Sequence, residues 1–159
     1  MQVEIIDKIE NFNIEDFLQL ETIVNDRLWS RTNYMEDALD KYETDEEGKI
    51  NSATFMEYFN TNQYILDAVI YVKNPDNKVI AGCCLQSWSF DRVKLVDFVV
   101  SSEYEGRGVG SLMLENVIDY CKKSGYVEIN LEVREYTPAI KLYEKFNFEF
   151  IRLEEAGLS

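Results

Sequence analysis

A glycine at every second position of Glu105-Gly106-Arg107-Gly108-Val109-Gly110, set between an apolar strand and an amphipathic helix, restricts this chain more than any other feature. Lys94 to Val100 (KLVDFVV) is β-branched and aromatic with one internal charge, Asp97, and reads as a buried strand. A short polar bend, SSEY, leads into the glycines. Beyond them Leu114, Val117, Ile118 and Cys121 fall on one helical face, and the helix stops at Gly125 with Lys122 and Lys123 in its last turn. A strand that feeds a glycine-rich turn into a helix start outlines an anion site, because free amide donors and the positive end of the helix dipole point the same way. The ligand this implies carries phosphate; the bland alternative is a tight turn that binds nothing. Two familiar phosphate motifs are excluded. Gly110 is followed by Ser111 and Leu112 instead of the Lys-Ser/Thr of a P-loop, and Ser111 stands where a dinucleotide fingerprint needs its third glycine.

At 159 residues the chain is expected to form one domain with a core of its own. A hydrophobic content of 46% beside 29% charged and 13% aromatic residues argues for a globular fold and against disorder. The net charge of −14 argues against nucleic acid or an anionic membrane as a partner. It suits a cationic substrate, although an acidic surface also serves solubility. Three cysteines, two of them adjacent at Cys83 and Cys84, give neither a disulfide framework nor metal-ligand spacing. Histidine is absent, which excludes a histidine triad, a histidine-rich zinc site and histidine general-base catalysis. No targeting pattern opens the sequence and no run reaches membrane-spanning length, so the expected compartment is the cytoplasm.

Taken in order, Val3 to Ile6 reads as a first strand. Asn13 starts a helix with Asp16 three residues on as a relaxed capping box, and Ile14, Phe17, Leu18, Glu21, Val24 and Leu28 continue it. Further helical segments are expected at Asn33 to Tyr42 and Ser52 to Phe59, separated by the acidic turn ETDEEGK. Tyr64 to Val72 and Val79 to Phe90 read as strands joined by the turn Asn74-Pro75-Asp76-Asn77, and with Lys94 to Val100 they make an antiparallel meander. Cys83 and Cys84 lie on its middle strand as small hydrophobes. Val127 to Val133 alternates strictly, with Val127, Ile129, Leu131 and Val133 directed to the core. Tyr136 to Phe146 is the last helix, with Thr137 as cap, Pro138 in the first helical position and Ala139, Leu142, Tyr143 and Phe146 on one stripe. Asn147 is suited to left-handed geometry after it, and Phe148 to Leu153 closes the sheet.

LVDFVVSSEYEGRGVGSLMLENVIDY and INLEVREYTPAIKLYEKFNFEFI together resemble the acetyl-CoA-binding segment of the GNAT superfamily of N-acetyltransferases, over Tyr64 to Arg152. The first resembles that family's strand, pyrophosphate loop and helix; the second resembles its next strand, last helix and final strand. Of the pattern Gln/Arg-x-x-Gly-x-Gly/Ala, Gly108 and Gly110 are in place, while Glu105 stands where Gln or Arg is usual. The loop after LEV is one residue shorter than the usual form, and Tyr136 or Thr137 replaces a frequent asparagine. The resemblance implies an α/β (α+β) single-domain fold, a mixed and mostly antiparallel sheet with helices on both faces. Residues 1–62 would be the variable acceptor-side part and 64–152 the acetyl-CoA-binding part.

The activity implied by the resemblance is acetyl transfer from acetyl-CoA, as cosubstrate, to a primary amine, with no metal and no covalent intermediate. Phe98, Val99 and Val100 would pair with the pantetheine arm like an added strand, and an amide near Val100 would face the oxyanion. The backbone of Gly106, Arg107, Gly108, Val109, Gly110 and Ser111 would hold the pyrophosphate. Tyr143, in the LY pair, is the candidate general acid, against the bland reading of a core tyrosine on an amphipathic helix. Glu132, which resembles the catalytic glutamate of ribosomal-protein alanine acetyltransferases, and Asp97, the lone charge of its strand, compete as base, and a water chain is a third option. Peptide N termini and small cationic amines both fit as acceptor. A catalytically idle CoA-binding module is the alternative from another class, and the assembly is expected to be a monomer or homodimer.

Overall fold

In the computed structural model, residues 1–28, 65–87, 89–131 and 139–149 are described. They build one mixed sheet in the order β1 (Gln2–Ile6), β2 (Ile65–Lys73), β3 (Val79–Ser87), β4 (Arg92–Val100) and β5 (Glu128–Asn130), with helices α1 (Ile14–Leu28), α2 (Val109–Lys123) and α3 (Ala139–Lys145). The first four strands pair antiparallel, and β5 joins β4 in parallel. The parallel step follows from connectivity: α2 lies between the two strands and returns the chain to its starting end. The fold is therefore the α/β class expected, with a mostly antiparallel sheet and helices on both faces.

Alternation along the strands sorts the core into two layers. Ala68, Ile70 and Val72 of β2, with Ala81, Cys83 and Leu85 of β3 and Val93 and Leu95 of β4, meet Met113, Leu114, Val117 and Cys121 of α2 and Tyr143 of α3. Val69 and Tyr71, with Cys84 and Val99, meet Phe17, Leu20 and Val24 of α1 on the other face. Cys83 and Cys84 are buried and their thiols are pushed well above the ordinary value, chiefly by burial, as suits packing groups and not nucleophiles.

Helix ends follow the local chemistry. The Asn13 side-chain oxygen accepts from the amides of Glu15 (2.9 Å) and Asp16 (3.1 Å), capping α1. Asp16 does not complete a capping box; its carboxylate binds Lys73 at 2.8 Å. Both α2 and α3 end in paired reverse bonds around a left-handed residue, Gly125 (φ +85°) and Asn147 (φ +67°): Tyr126 N donates to Cys121 O and Gly125 N to Lys122 O, then Phe148 N to Tyr143 O and Asn147 N to Glu144 O.

Three expectations need correction. β3 stops at Ser87, and Phe90, 92% exposed, belongs to the bend before β4. β4 begins earlier than expected, at Arg92. Among the described residues β5 is Glu128–Asn130, with 132 and 133 of the expected strand lying outside them, and Val127 is 76% exposed instead of core, ahead of the first paired residue, where its amide donates to the Asp91 carbonyl (2.8 Å). The helices expected in 33–42 and 52–59, the cap at Thr137 with Pro138, and the strand closing after Phe148 from residue 150 onward lie outside the described residues. Among the described residues no helix is long and apolar enough to cross a membrane.

Candidate active site

Strands β4 and β5 share only three positions, Arg92 with Glu128, Val93 with Ile129 and Lys94 with Asn130. Among the described residues β4 has no further partner on that side as far as Val100, while β3 continues to hold its other edge. Between these two stretches β4 carries an extra residue. Gly82 faces Val99 and Cys84 faces Val96, so two steps on β3 span three on β4, and Asp97 absorbs the surplus at φ +54°. The bulge reverses the side-chain alternation: Val93 and Leu95 point to the α2 face, and after Asp97 so do Phe98 and Val100, while Val96 and Val99 face α1. Aspartate is among the few residues that tolerate left-handed backbone, which gives the lone charge of the strand a structural reason to be there. Asp97 is half-buried, and that burial raises its carboxyl above the usual range.

The chain leaves β4 through a single 3-10 turn, Ser102–Tyr104, into the glycine loop. Gly106 (φ +73°) and Gly108 (φ +79°) both adopt left-handed backbone, and among the described residues a Cβ on either would meet nothing within 4 Å. Gly108 is the N-cap of α2 without a side-chain cap, and the first helical bond runs from Leu112 N to Gly108 O. A helix start leaves the amides of Val109, Gly110 and Ser111 without intrahelical acceptors. Gly110 serves a different need: a Cβ there would sit 3.1 Å from Leu142 Cδ2 and 3.8 Å from Phe98 Cε1. Only the first of these is tight, so the bare backbone of Gly110 lets α2 start close against Leu142 of α3, while the space toward Phe98 is that of ordinary contact.

Tyr143 completes this junction. Its ring lies edge-on to Phe98 and to Phe148, each at 5.7 Å between centroids, and it is 8% exposed. Burial, with the Cys83 thiol adding to it, pushes the phenol well above its ordinary pKa. Phe98, Gly110 and Tyr143, singled out from the sequence, are therefore brought together, with Val109 buried beside them and Ser111 in the first turn of α2. Val100 is half-buried on the same face, whereas Val99 is buried toward α1. Arg107 is exposed and lies over the Tyr104 ring at 5.2 Å, and the Tyr104 hydroxyl accepts a bond from Asn74 at 3.2 Å. The β2–β3 turn thus braces the loop. Glu132 lies outside the described residues, as do Tyr136 and Thr137.

One loop contact had no signal in the sequence. Glu105 forms an ion pair with Arg27, in the last turn of α1. An arginine at a helix C-terminus already has a local explanation in the helix dipole, so nothing in the sequence marks it as a loop residue.

The sequence model of the acetyltransferase (GNAT) family matches residues 31–148. This chain belongs to the GNAT family. A curated relative, the ribosomal protein bS18-alanine N-acetyltransferase of Haemophilus influenzae, is 31% identical over 84 residues, which span 53% of this chain and 58% of the relative. Among solved structures, an aminoglycoside acetyltransferase from an uncultured soil metagenomic sample superposes with a TM-score of 0.66 at 14% identity, covering 99% of this chain and 96% of that one. Glucosamine-6-phosphate N-acetyltransferase from Arabidopsis thaliana gives 0.57 at 14%, covering 98% and 97%. At such identities the structures speak for the GNAT fold.

Proposed function

We propose that this GNAT protein transfers the acetyl group of acetyl-CoA directly to the primary amine of an acceptor. The observation that carries this reading is the junction at Phe98, Gly110 and Tyr143, where a strand edge unpaired among the described residues, a helix start and a buried phenol meet. Acetyl-CoA supplies an activated thioester and a diphosphate to hold it by. The residues present fit it. The left-handed glycines 106 and 108 are uncrowded among the described residues, the α2 amides offer donors to an anion, and the β4 edge beyond Lys94 offers backbone groups to an extended amide-bearing arm.

Each group then has a task. The backbone from Phe98 to Val100 aligns the arm and turns an amide toward the charge that develops on the acetyl oxygen. Asp97 makes the bulge that aims it. Tyr143, with its proton held firmly by burial, acts as a hydrogen-bond donor to the departing sulfur, and its raised pKa keeps that proton in place past pH 10. Glu132 or ordered water serves as base for the ammonium. Acceptors of both kinds suggested by the relatives, a peptide N-terminal amine and a polycationic amino sugar, suit the net charge of −14.

The test is direct. Acetyl-CoA should raise the melting temperature, and free thiol should appear on incubation with a panel holding an alanine-initiated peptide and an aminoglycoside. Tyr143→Phe should lower kcat about 100-fold while leaving the Kd for acetyl-CoA nearly unchanged. Tight coenzyme binding without thiol release for any amine would leave the idle binding module as the better reading.

A further inference from the structure

Glu105 places a carboxylate at the head of the loop whose amides would carry a diphosphate, and a like charge so near opposes anion binding. Arg107, the adjacent cation, is stacked over Tyr104. The carboxylate is instead paired with Arg27, which reaches the loop from the end of α1, a helix packed on the opposite face of the sheet from α2. The side chains are 35% and 52% exposed, so the pair is partly shielded from solvent on the arginine side.

We infer that Arg27 is a positioning residue for the coenzyme: by binding Glu105 it withdraws that carboxylate's charge from the phosphate-facing loop and ties the loop's first residue to α1. The inference rests on the acetyl-CoA reading given above. Arg27 acts through Glu105 and makes no contact with the phosphates. Its removal should therefore matter only while Glu105 is charged.

A double-mutant cycle on the full chain, read by calorimetric titration with acetyl-CoA, tests this. Arg27→Ala should raise Kd about threefold, the scale of an exposed ion pair, and the increase should shrink as salt is added. Glu105→Gln should bind as well as the wild type or better. The double variant should match Glu105→Gln alone, and Arg27→Lys should restore most of the affinity. In turnover, the KM for acetyl-CoA should rise in Arg27→Ala with kcat unchanged and the melting temperature of the free protein unaltered. An Arg27→Ala Kd equal to wild type overturns the inference, as does a loss confined to melting temperature. So does an effect that persists in the Glu105→Gln background, since the arginine would then act on the coenzyme itself. Failure of the wild-type chain to bind acetyl-CoA would instead overturn the proposed function, before any variant is compared.

Discussion

The sheet's two faces are closed by different means. Under α2 the fully buried contact is apolar, Met113, Leu114, Val117 and Cys121 against Ile70, Cys83, Leu85 and Val93, with one polar bond at its margin from the Tyr120 hydroxyl to Asp67 at 3.1 Å. Under α1 the buried set includes Glu21, Asn25 and Lys73 beside Phe17, Leu20 and Val24. Lys73 is held between Glu4 at 3.0 Å and Asp16 at 2.8 Å, and Asn25 bonds the Glu21 carbonyl at 2.7 Å. The Tyr71 hydroxyl, fully buried there, makes no hydrogen bond among the described residues. An apolar face is fixed by volume, a polar one by which partners are paired. The glycine loop grows from the first kind and is latched, through Glu105, to the second.

That contrast fixes the order of effects. Leu114→Ala removes a fully buried side chain from the apolar contact under α2, and should cost about 3 kcal/mol in denaturant unfolding with no dependence on pH. Lys73→Met should cost less, about 2 kcal/mol, because the carboxylates it strands, Glu4 and Asp16, retain some solvent. The loss at Lys73 should also depend on pH. Burial alone would lower the ammonium's pKa, but hydrogen bonds and charge from Asp16 and Glu4 outweigh it and the net shift is upward from 10.5. A raised pKa in the folded state means that the stabilisation is fully present below 10.5 and fades as pH climbs through the folded value. The gap between wild type and Lys73→Met should therefore hold at neutral pH and close in strong alkali. A gain in stability from Lys73→Met would show that the α1 face tolerates apolar closure as readily as the α2 face.

The same contrast accounts for what the sequence made legible. Asn13, Gly125 and Asn147 were readable because a cap or a helix stop is decided within a few residues. The loop was readable because left-handed backbone at Gly106 and Gly108 demands glycine, and Tyr143 because its stripe and its LY pair coincide. Lys73 was not, since its partner Asp16 is 57 positions away and Asp16 already had a local role as a capping residue. Arg27 with Glu105 is the same case, a long-range pairing hidden behind a sufficient local reason. Val127 failed differently: alternation gives the parity of a strand but not where its pairing begins.

Asp97 was readable as an anomaly and not as a bulge, and it carries the smallest expected effect. Asp97→Val forces a β-branched residue to φ +54° and should cost about 1–2 kcal/mol, together with activity, because the bulge that aims Phe98 would straighten. Asp97→Asn keeps the left-handed tolerance and removes only the charge. Since burial raises this carboxyl, its ionisation penalises the folded state as pH rises through 3.8 and up to the folded value. The asparagine variant should thus be the more stable of the two at neutral pH and equal to wild type in strong acid. Its kcat should stay close to wild type if the residue is there for its backbone. A fall of about 100-fold with stability unharmed would make Asp97 the base instead, because only the proton-accepting oxygen has been taken away.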